Sequence, residues 1–270
     1  MKDVLRYAGK KVVITGCATG MGAAAAELLV GLGAEVHALD IGEVKVGAKQ
    51  IVKTDMKSKA SIDAAIAKLP TEIDALFNCA GVPHPPFSAY DTMMINFVGL
   101  RHLTDALIPR LRTGGSITSI ASTAGMAWKS NLDLVRQFLA LGTFERGAAF
   151  LDEGPDLKAD AYAFSKQCII VYTQSLAGEL GQRGIRINCI SPSPTASQFM
   201  VQLTKQIPED AIKLFCPSIG RFAEPIEMGR VLVMLGSDLA GFVSGVNLPV
   251  DFGYCGEVAM GQRDNLMNIG

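Results

Sequence analysis

Apolar residues follow two rhythms along this chain. Short continuous runs rich in Val, Ile and Leu recur at residues 11–15, 35–40, 50–53, 75–78, 116–120, 186–190 and 247–250. Continuous rather than alternating hydrophobicity marks strands buried on both faces. Between the runs lie stretches with helical spacing, at 21–32, 58–69, 90–111, 160–180 and 226–235. Strand–helix alternation of this kind predicts βαβ units: an α/β chain with a doubly wound parallel sheet of about seven strands.

Two stretches break the rhythm. In 127–159 the positions Leu132, Val135 and Leu139, then Phe144, Ala148 and Leu151, predict two short amphipathic helices, an inserted helical hairpin. The stretch 195–221 carries Phe199, Met200, Leu203, Ile207, Ile212, Leu214 and Phe215. It is too apolar for an ordinary exposed loop and is expected to pack over something. With no repeat or linker, 1–270 reads as one domain containing the 127–159 insertion.

Composition narrows the classes. At 49% hydrophobic and 19% charged the chain is no disordered polymer. A net charge of −1 offers no basic field to nucleic acid. No uncharged apolar stretch reaches the ~18 residues of a membrane span. The start Met1-Lys2-Asp3-Val4 lacks the apolar run of a signal peptide. The six cysteines are dispersed without a C-x-x-C pair, which reads as free thiols in a reducing compartment. A soluble cytoplasmic protein is expected. His37, His84 and His102 share no ligand spacing, so no metal is expected. His84 reads as part of a rigid surface turn, with a place near the pocket as the alternative, and Trp128 as an anchor for the insertion rather than a lining of the cleft mouth.

The glycine-rich turn Thr15-Gly16-Cys17-Ala18-Thr19-Gly20-Met21-Gly22 joins the first strand to the first helix. Glycines there allow a tight turn and close approach of a pyrophosphate, and the helix N-terminus offers unpaired N–H groups. Gly16, Thr19, Gly20, Met21 and Gly22 are therefore candidate cofactor contacts. Asp40, with Ile41 beside it, ends the second strand, where a carboxylate accepts from both ribose hydroxyls and repels a 2′-phosphate. The turn has no Arg or Lys for such a phosphate, so NAD is expected over NADP. Asp55 and Met56 follow the third strand, near where an adenine would lie. Tyr162 and Lys166, at i and i+4, share a helix face, and a cation beside a phenol lowers its pKa towards useful acid–base chemistry. Ser122 follows a strand at the sheet's C-terminal edge, placed to hold a substrate oxygen.

The ordered set identifies the chain as a member of the short-chain dehydrogenase/reductase family by resemblance. Its carriers are Thr15-Gly-x-x-x-Gly20-x-Gly22, Asn78-Cys-Ala-Gly81, Asn96, Ser122, Tyr162-x-x-x-Lys166, Asn188-Cys-Ile-Ser-Pro192, Gly220-Arg-Phe-Ala-Glu-Pro225 and Val250-Asp251-Phe-Gly253. The resemblance implies a Rossmann-like fold, with Tyr162 as acid/base and Lys166 lowering its pKa and holding the nicotinamide ribose. It also implies that Ser122 polarises the carbonyl and that Asn96 anchors a water linking Lys166 to solvent. Asn78, Ala80 and Gly81 would line the cofactor ribose, and Pro192, Ser193, Thr195 and Ser197 the nicotinamide side.

Three departures stand out. Ser193 replaces the family's usual glycine, and Asn78-Cys79 its Asn-Asn pair. Forty positions separate Ser122 from Tyr162, where family members typically have about a dozen. The extra segment resembles the helical insertion of the bacterial 3α-hydroxysteroid dehydrogenase/carbonyl reductase and coniferyl-alcohol dehydrogenase branch. The expected activity is NAD-dependent hydride transfer on a hydrophobic secondary alcohol or ketone such as a hydroxysteroid, terpenoid or aromatic alcohol. The alternatives are an epimerase or dehydratase using NAD transiently, and a non-catalytic NAD-binding regulator. The resemblance further implies a homodimer or homotetramer.

Overall fold

The β-branched runs become a seven-stranded parallel sheet in the computed structural model, which describes residues 4–157, 159–267 and 269. Its strands are β1 (Lys11–Thr15), β2 (Glu35–Asp40), β3 (Gln50–Lys53), β4 (Ile73–Asn78), β5 (Leu111–Ile120), β6 (Arg186–Pro192) and β7 (Asn247–Val250). They lie in the order β3-β2-β1-β4-β5-β6-β7. Chain direction across the sheet reverses between β1 and β4, the switch point where open α/β sheets bind ligands. Register carries the site: Thr15 pairs with Asn78 and Asn78 with Ser119. The residues just after β1, β4 and β5 therefore emerge side by side.

The helices are α1 (Gly20–Gly31), α2 (Lys59–Ile66), α3 (Ala89–Met93), α4 (Gly99–Leu107), α5 (Leu132–Ala140), α6 (Phe144–Asp152), α7 (Ala161–Gln182), α8 (Gln198–Thr204), α9 (Glu209–Lys213), α10 (Pro225–Gly236) and α11 (Tyr254–Ala259). The pleat sorts the core. Val12 and Ile14 of β1 join α1 and α10 on one face through Ala25, Leu29 and Leu232. Val13 turns to the other face, towards Ile62 of α2, Leu103 of α4 and Leu180 of α7. Successive side chains of a strand point to opposite faces, so continuous hydrophobicity is what two covered faces require.

Three elements differ from the sequence expectation. The helix expected over 90–111 is divided into α3, a π-turn at Met94–Val98, α4 and a 3-10 turn at Ile108–Arg110. Here Gly99 lets the carbonyl of Met56 approach to where a Cβ would stand 2.0 Å away. Strand β5 begins at Leu111 rather than 116, because Gly114 and Gly115 hide the strand pattern. The insertion opens with 3-10 turns at Thr123–Asn131, followed by α5 and α6. Those helices meet through Phe138 and Phe150, ring centres 5.4 Å apart. Mostly, though, they pack on the body of the protein: Val135, Phe138 and Leu151 are buried with Phe97, Phe164 and Tyr172. Trp128 packs on the same cluster, as an anchor would.

The apolar stretch 195–221 holds α8 and α9, burying Met200 and Ile212. Among the described residues, no helix is long and apolar enough to cross a membrane.

Candidate active site

A cleft of about 1150 Å³ opens at the C-terminal edge of the sheet. One end is the glycine turn. Gly16 has φ +66°, and a Cβ there would stand 2.4 Å from the backbone of Ala80. A Cβ on Gly22 would stand 2.1 Å from the carbonyl oxygen of Gly16. Both glycines thus permit close packing of the turn, while Gly20 (φ +62°) opens α1. Thr15 Oγ1 accepts from the N–H groups of Cys79 and Ala80 at 3.1 and 3.2 Å, tying the turn after β4 to the glycine loop.

The Thr19 side chain makes no capping hydrogen bond, and the first turn of α1 contains no acid. Thr19, Gly20, Met21 and Gly22 all line the cleft. An uncapped helix N-terminus facing a cleft suits a phosphate group. Asp40 also faces the cleft; its carboxylate accepts from Ala18 N–H and Gly42 N–H, both at 2.8 Å. Each oxygen has a second lone pair left for a diol. Ile41, Asp55 and Met56 complete this wall. Asp55 also holds its own turn by accepting from Lys57 N–H at 2.9 Å. These residues fit a dinucleotide.

Ser122, Tyr162 and Lys166 line the middle of the cleft. Ser122 follows β5 and caps the next turn, its hydroxyl accepting from Ala124 N–H at 3.2 Å. It is also hydrogen-bonded to the Tyr162 hydroxyl. Tyr162 and Lys166 ride on α7, whose N-terminus is fixed by the Asp160 carboxylate accepting from Ala163 N–H at 3.0 Å. Lys166 Nζ lies 5.5 Å from the centre of the Tyr162 ring and donates to the carbonyl of Ile120 at 2.9 Å.

Burial pushes the Lys166 ammonium down to about 8, opposed by the nearby Cys79 and Cys189. Burial also pushes the Tyr162 phenol up to about 12, offset by Ser122 and reinforced by Asp160. The sequence predicts that Lys166 lowers the tyrosine; in the protein by itself the phenol is instead raised by its burial.

One expected contact stands elsewhere. Asn78 is buried away from the cleft, its amide donating to Thr104 Oγ1 at 3.0 Å and Ser119 Oγ at 3.2 Å. The pleat turns it towards α4, so it braces β4 rather than lining a ribose. Asn96 lies in the π-turn behind the wall. Its Oδ1 accepts from Val82 N–H at 2.8 Å, and its Nδ2 donates to Val82 O at 3.0 Å and Ser165 Oγ at 3.2 Å. A Cβ on Gly81 would stand 3.4 Å from Asn96 Oδ1 and 3.5 Å from Lys166 Nζ, so the three adjoin. Ala80, Gly81, Pro192, Ser193, Thr195 and Ser197 all reach the cleft.

The structure also brings to the cleft residues that the sequence left without a target. Phe199 of α8 packs on Tyr162, ring centres 5.3 Å apart. With Met200, Leu203, Ile207, Ile212 and Phe215 it roofs the cleft. Their apolar run was the visible signal; their target was not. His84 stands in a turn, as expected, and that turn lines the cleft with Pro83 and Pro85. Asn131 and Gln167 also line it, with no signal in the sequence.

Known proteins resemble this chain in sequence and fold. The short chain dehydrogenase family model matches residues 10–132, and the enoyl-(acyl carrier protein) reductase model matches residues 154–255. The residues between the two matches are the body of the inserted helices. Coniferyl-alcohol dehydrogenase of a Pseudomonas species is 30% identical over 253 residues, covering 92% of this chain and 98% of its own. The 3-alpha-hydroxysteroid dehydrogenase/carbonyl reductase of Comamonas testosteroni is 32% identical over 250 residues, covering 90% and 95%. The crystal structure of the 3-alpha-hydroxysteroid dehydrogenase from Pseudomonas sp. B-0831, complexed with NADH, aligns with a TM-score of 0.78 at 25% identity, over 94% of this chain and 99% of that one. With the switch-point cleft, the glycine turn and the Ser–Tyr–Lys cluster, these matches show that the chain belongs to the short-chain dehydrogenase/reductase family.

Proposed function

We propose that one catalytic domain here transfers a hydride between NAD and a hydrophobic secondary alcohol or ketone, with Tyr162 as acid/base. One observation carries this reading. Tyr162, Ser122 and Lys166 share a cleft with an uncapped glycine turn at one end and an apolar roof at the other. Bound nicotinamide supplies the hydride acceptor and, when oxidised, a positive charge. In oxidation the Tyr162 oxygen takes the hydroxyl proton of the alcohol. Ser122 donates to the substrate oxygen and keeps it beside the phenol. Lys166, held on Ile120 O, supplies the fixed cation that favours phenolate as the site fills and water leaves. In reduction Tyr162 returns the proton to the forming alkoxide. Asn96 sets the turn against which Lys166 rests. Asp40 supports NAD over NADP, because its carboxylate would meet a 2′-phosphate as a like charge.

The test is an absorbance screen with NAD and NADP against secondary alcohols of graded size. Stoichiometric NADH from bulky hydrophobic alcohols is expected. Activity with NADP alone overturns the cofactor assignment. Product without net NADH replaces the dehydrogenase with an isomerising or dehydrating enzyme. Cofactor binding without turnover of any alcohol leaves a regulator.

The proposal extends to a cytoplasmic homodimer. All six cysteines are free, as a reducing compartment keeps them. The first three turns of α7 are sheathed by the insertion. Leu239, Phe242 and Val243 stand exposed beside the half-buried edge strand β7, an apolar surface suited to a second copy. Light scattering at micromolar concentration should give twice the chain mass; the chain mass itself contradicts it.

A further inference from the structure

We propose that Gln167 is a specificity residue that donates a hydrogen bond to a neutral acceptor oxygen on the substrate, remote from the reacting carbinol. The proposal rests on the alcohol dehydrogenase reading and adds a second polar anchor to it.

The argument starts from one buried amide pair. Asn131, at the end of the 3-10 segment, donates through Nδ2 to the carbonyl of Leu157 at 3.0 Å and to Gln167 Oε1 at 2.9 Å. A backbone carbonyl only accepts, so it fixes which end of the Asn131 amide faces it. Both Asn131 N–H bonds are then committed, and Gln167 must present its oxygen to Asn131. The free end of Gln167 is therefore Nε2, with two N–H donors. Among the described residues, Nε2 has no hydrogen-bond partner, although Gln167 is only 3% exposed. It is not among the atoms wholly shut off inside the protein, and Gln167 lines the cleft. Once a substrate fills the cleft and displaces water, that donor costs about 1–3 kcal/mol if left unpaired, so an acceptor on the substrate should complete it.

The surroundings say what kind. Gln167 lies five residues beyond Tyr162 on α7, roughly 7.5 Å along the axis. Ala163 precedes it by one helical turn on the same flank, and Ala127, Ser130 and Ala159 line the cleft as well. Small side chains leave space beside the amide for part of a substrate. Asp160 is the acidic group on this wall, and it acts electrostatically on Tyr162. A carboxylate or phosphate would meet it as a like charge, whereas a keto, ether or hydroxyl oxygen meets no such repulsion. The roof from Phe199 to Phe215 is apolar apart from Gln202. The fitting substrate is an apolar skeleton with a reactive hydroxyl at one place and a neutral oxygen acceptor at another.

The experiment uses matched pairs of secondary alcohols in which a ring CH₂ is replaced by an ether oxygen. Cyclohexanol with tetrahydropyran-4-ol is the short pair; 4-cyclohexylcyclohexanol with 4-(oxan-4-yl)cyclohexanol is the long one. Wild-type enzyme should favour the ether of at least one pair by about tenfold in kcat/KM, the worth of one hydrogen bond. Gln167→Met should erase that preference through KM, leaving the hydrocarbon partner within about twofold. A purely structural amide pair would instead lower both members of each pair alike, or show no wild-type preference; either result overturns the proposal. The same pairs are titrated calorimetrically into cofactor-loaded Tyr162→Phe protein, which reads recognition without turnover. A preference there, without oxidation by wild-type enzyme, refutes the dehydrogenase reading and keeps the Gln167 site. Equal binding of both members refutes the site whatever the chemistry.

Discussion

The two ends of the cleft are made from different material. The dinucleotide end is backbone held by the sheet: the β1–α1 turn, the residues after β4, and Asp40 at the end of β2. Register fixes these segments, and glycine is required where a Cβ would stand as close as 2.1 Å to the backbone. The substrate end is side chains on added segments: the turns at Thr123–Asn131, then α8 and α9, with Leu266 and Met267 near the C-terminus. Nothing in the sheet dictates what those side chains are. An end shaped by main-chain geometry suits a common cofactor, and an end shaped by side chains on loops can be changed without disturbing the fold.

The comparison can be broken at the junction first. Tyr162→Phe should lose at least ~100-fold in turnover with cofactor affinity largely kept, read by steady-state kinetics and NADH fluorescence titration. Equal loss of cofactor binding would mean that the two ends are not separable. Next, Asp40→Ala should move the NAD/NADP ratio of kcat/KM by about tenfold or more towards NADP, with alcohol KM little changed. Phe199→Ala is the mirror image. Removing the Phe199 ring that packs on Tyr162 should raise KM for bulky alcohols by about tenfold while KM for NAD stays within about twofold.

The smallest effect is on stability. Lys166 titrates near 8 in the folded protein against its ordinary 10.5, so below 8 the folded state carries a buried charge it disfavours. Lys166→Met should therefore melt a few degrees higher than wild type at pH 7 without cofactor. Folded Lys166 releases its proton before the unfolded chain does, so the gap between the two proteins should shrink as pH rises from about 8 to 10.5. A gap that widens over that window would reverse the assignment.

Legibility followed the same division. Val12-Val13-Ile14 announces a two-face buried strand because both faces of a covered sheet demand apolar residues. Gly16, Gly20 and Gly22 announce a turn because other residues would collide or strain there. Asn78 misled: its motif is read along the chain, but the direction of its side chain follows the pleat and the hydroxyl of Thr104. The break in the helix around Asn96 left no periodic trace, since a π-turn keeps apolar residues apolar and changes only their phase. The roof of the cleft could be seen as apolar but not aimed.

The sequence by itself determined the parallel sheet, the glycine turn and the Tyr162–Lys166 spacing. The sheet is announced by the local apolar runs and their alternation with helices, and the turn and the spacing by local backbone conformation. Only the tertiary structure decided that Phe199 covers Tyr162, that burial raises the Tyr162 phenol, and that Asn131 turns the amide of Gln167. Each of those depends on side chains brought together by packing from distant segments, where neither solvent exclusion nor hydrogen-bond direction is written in local order.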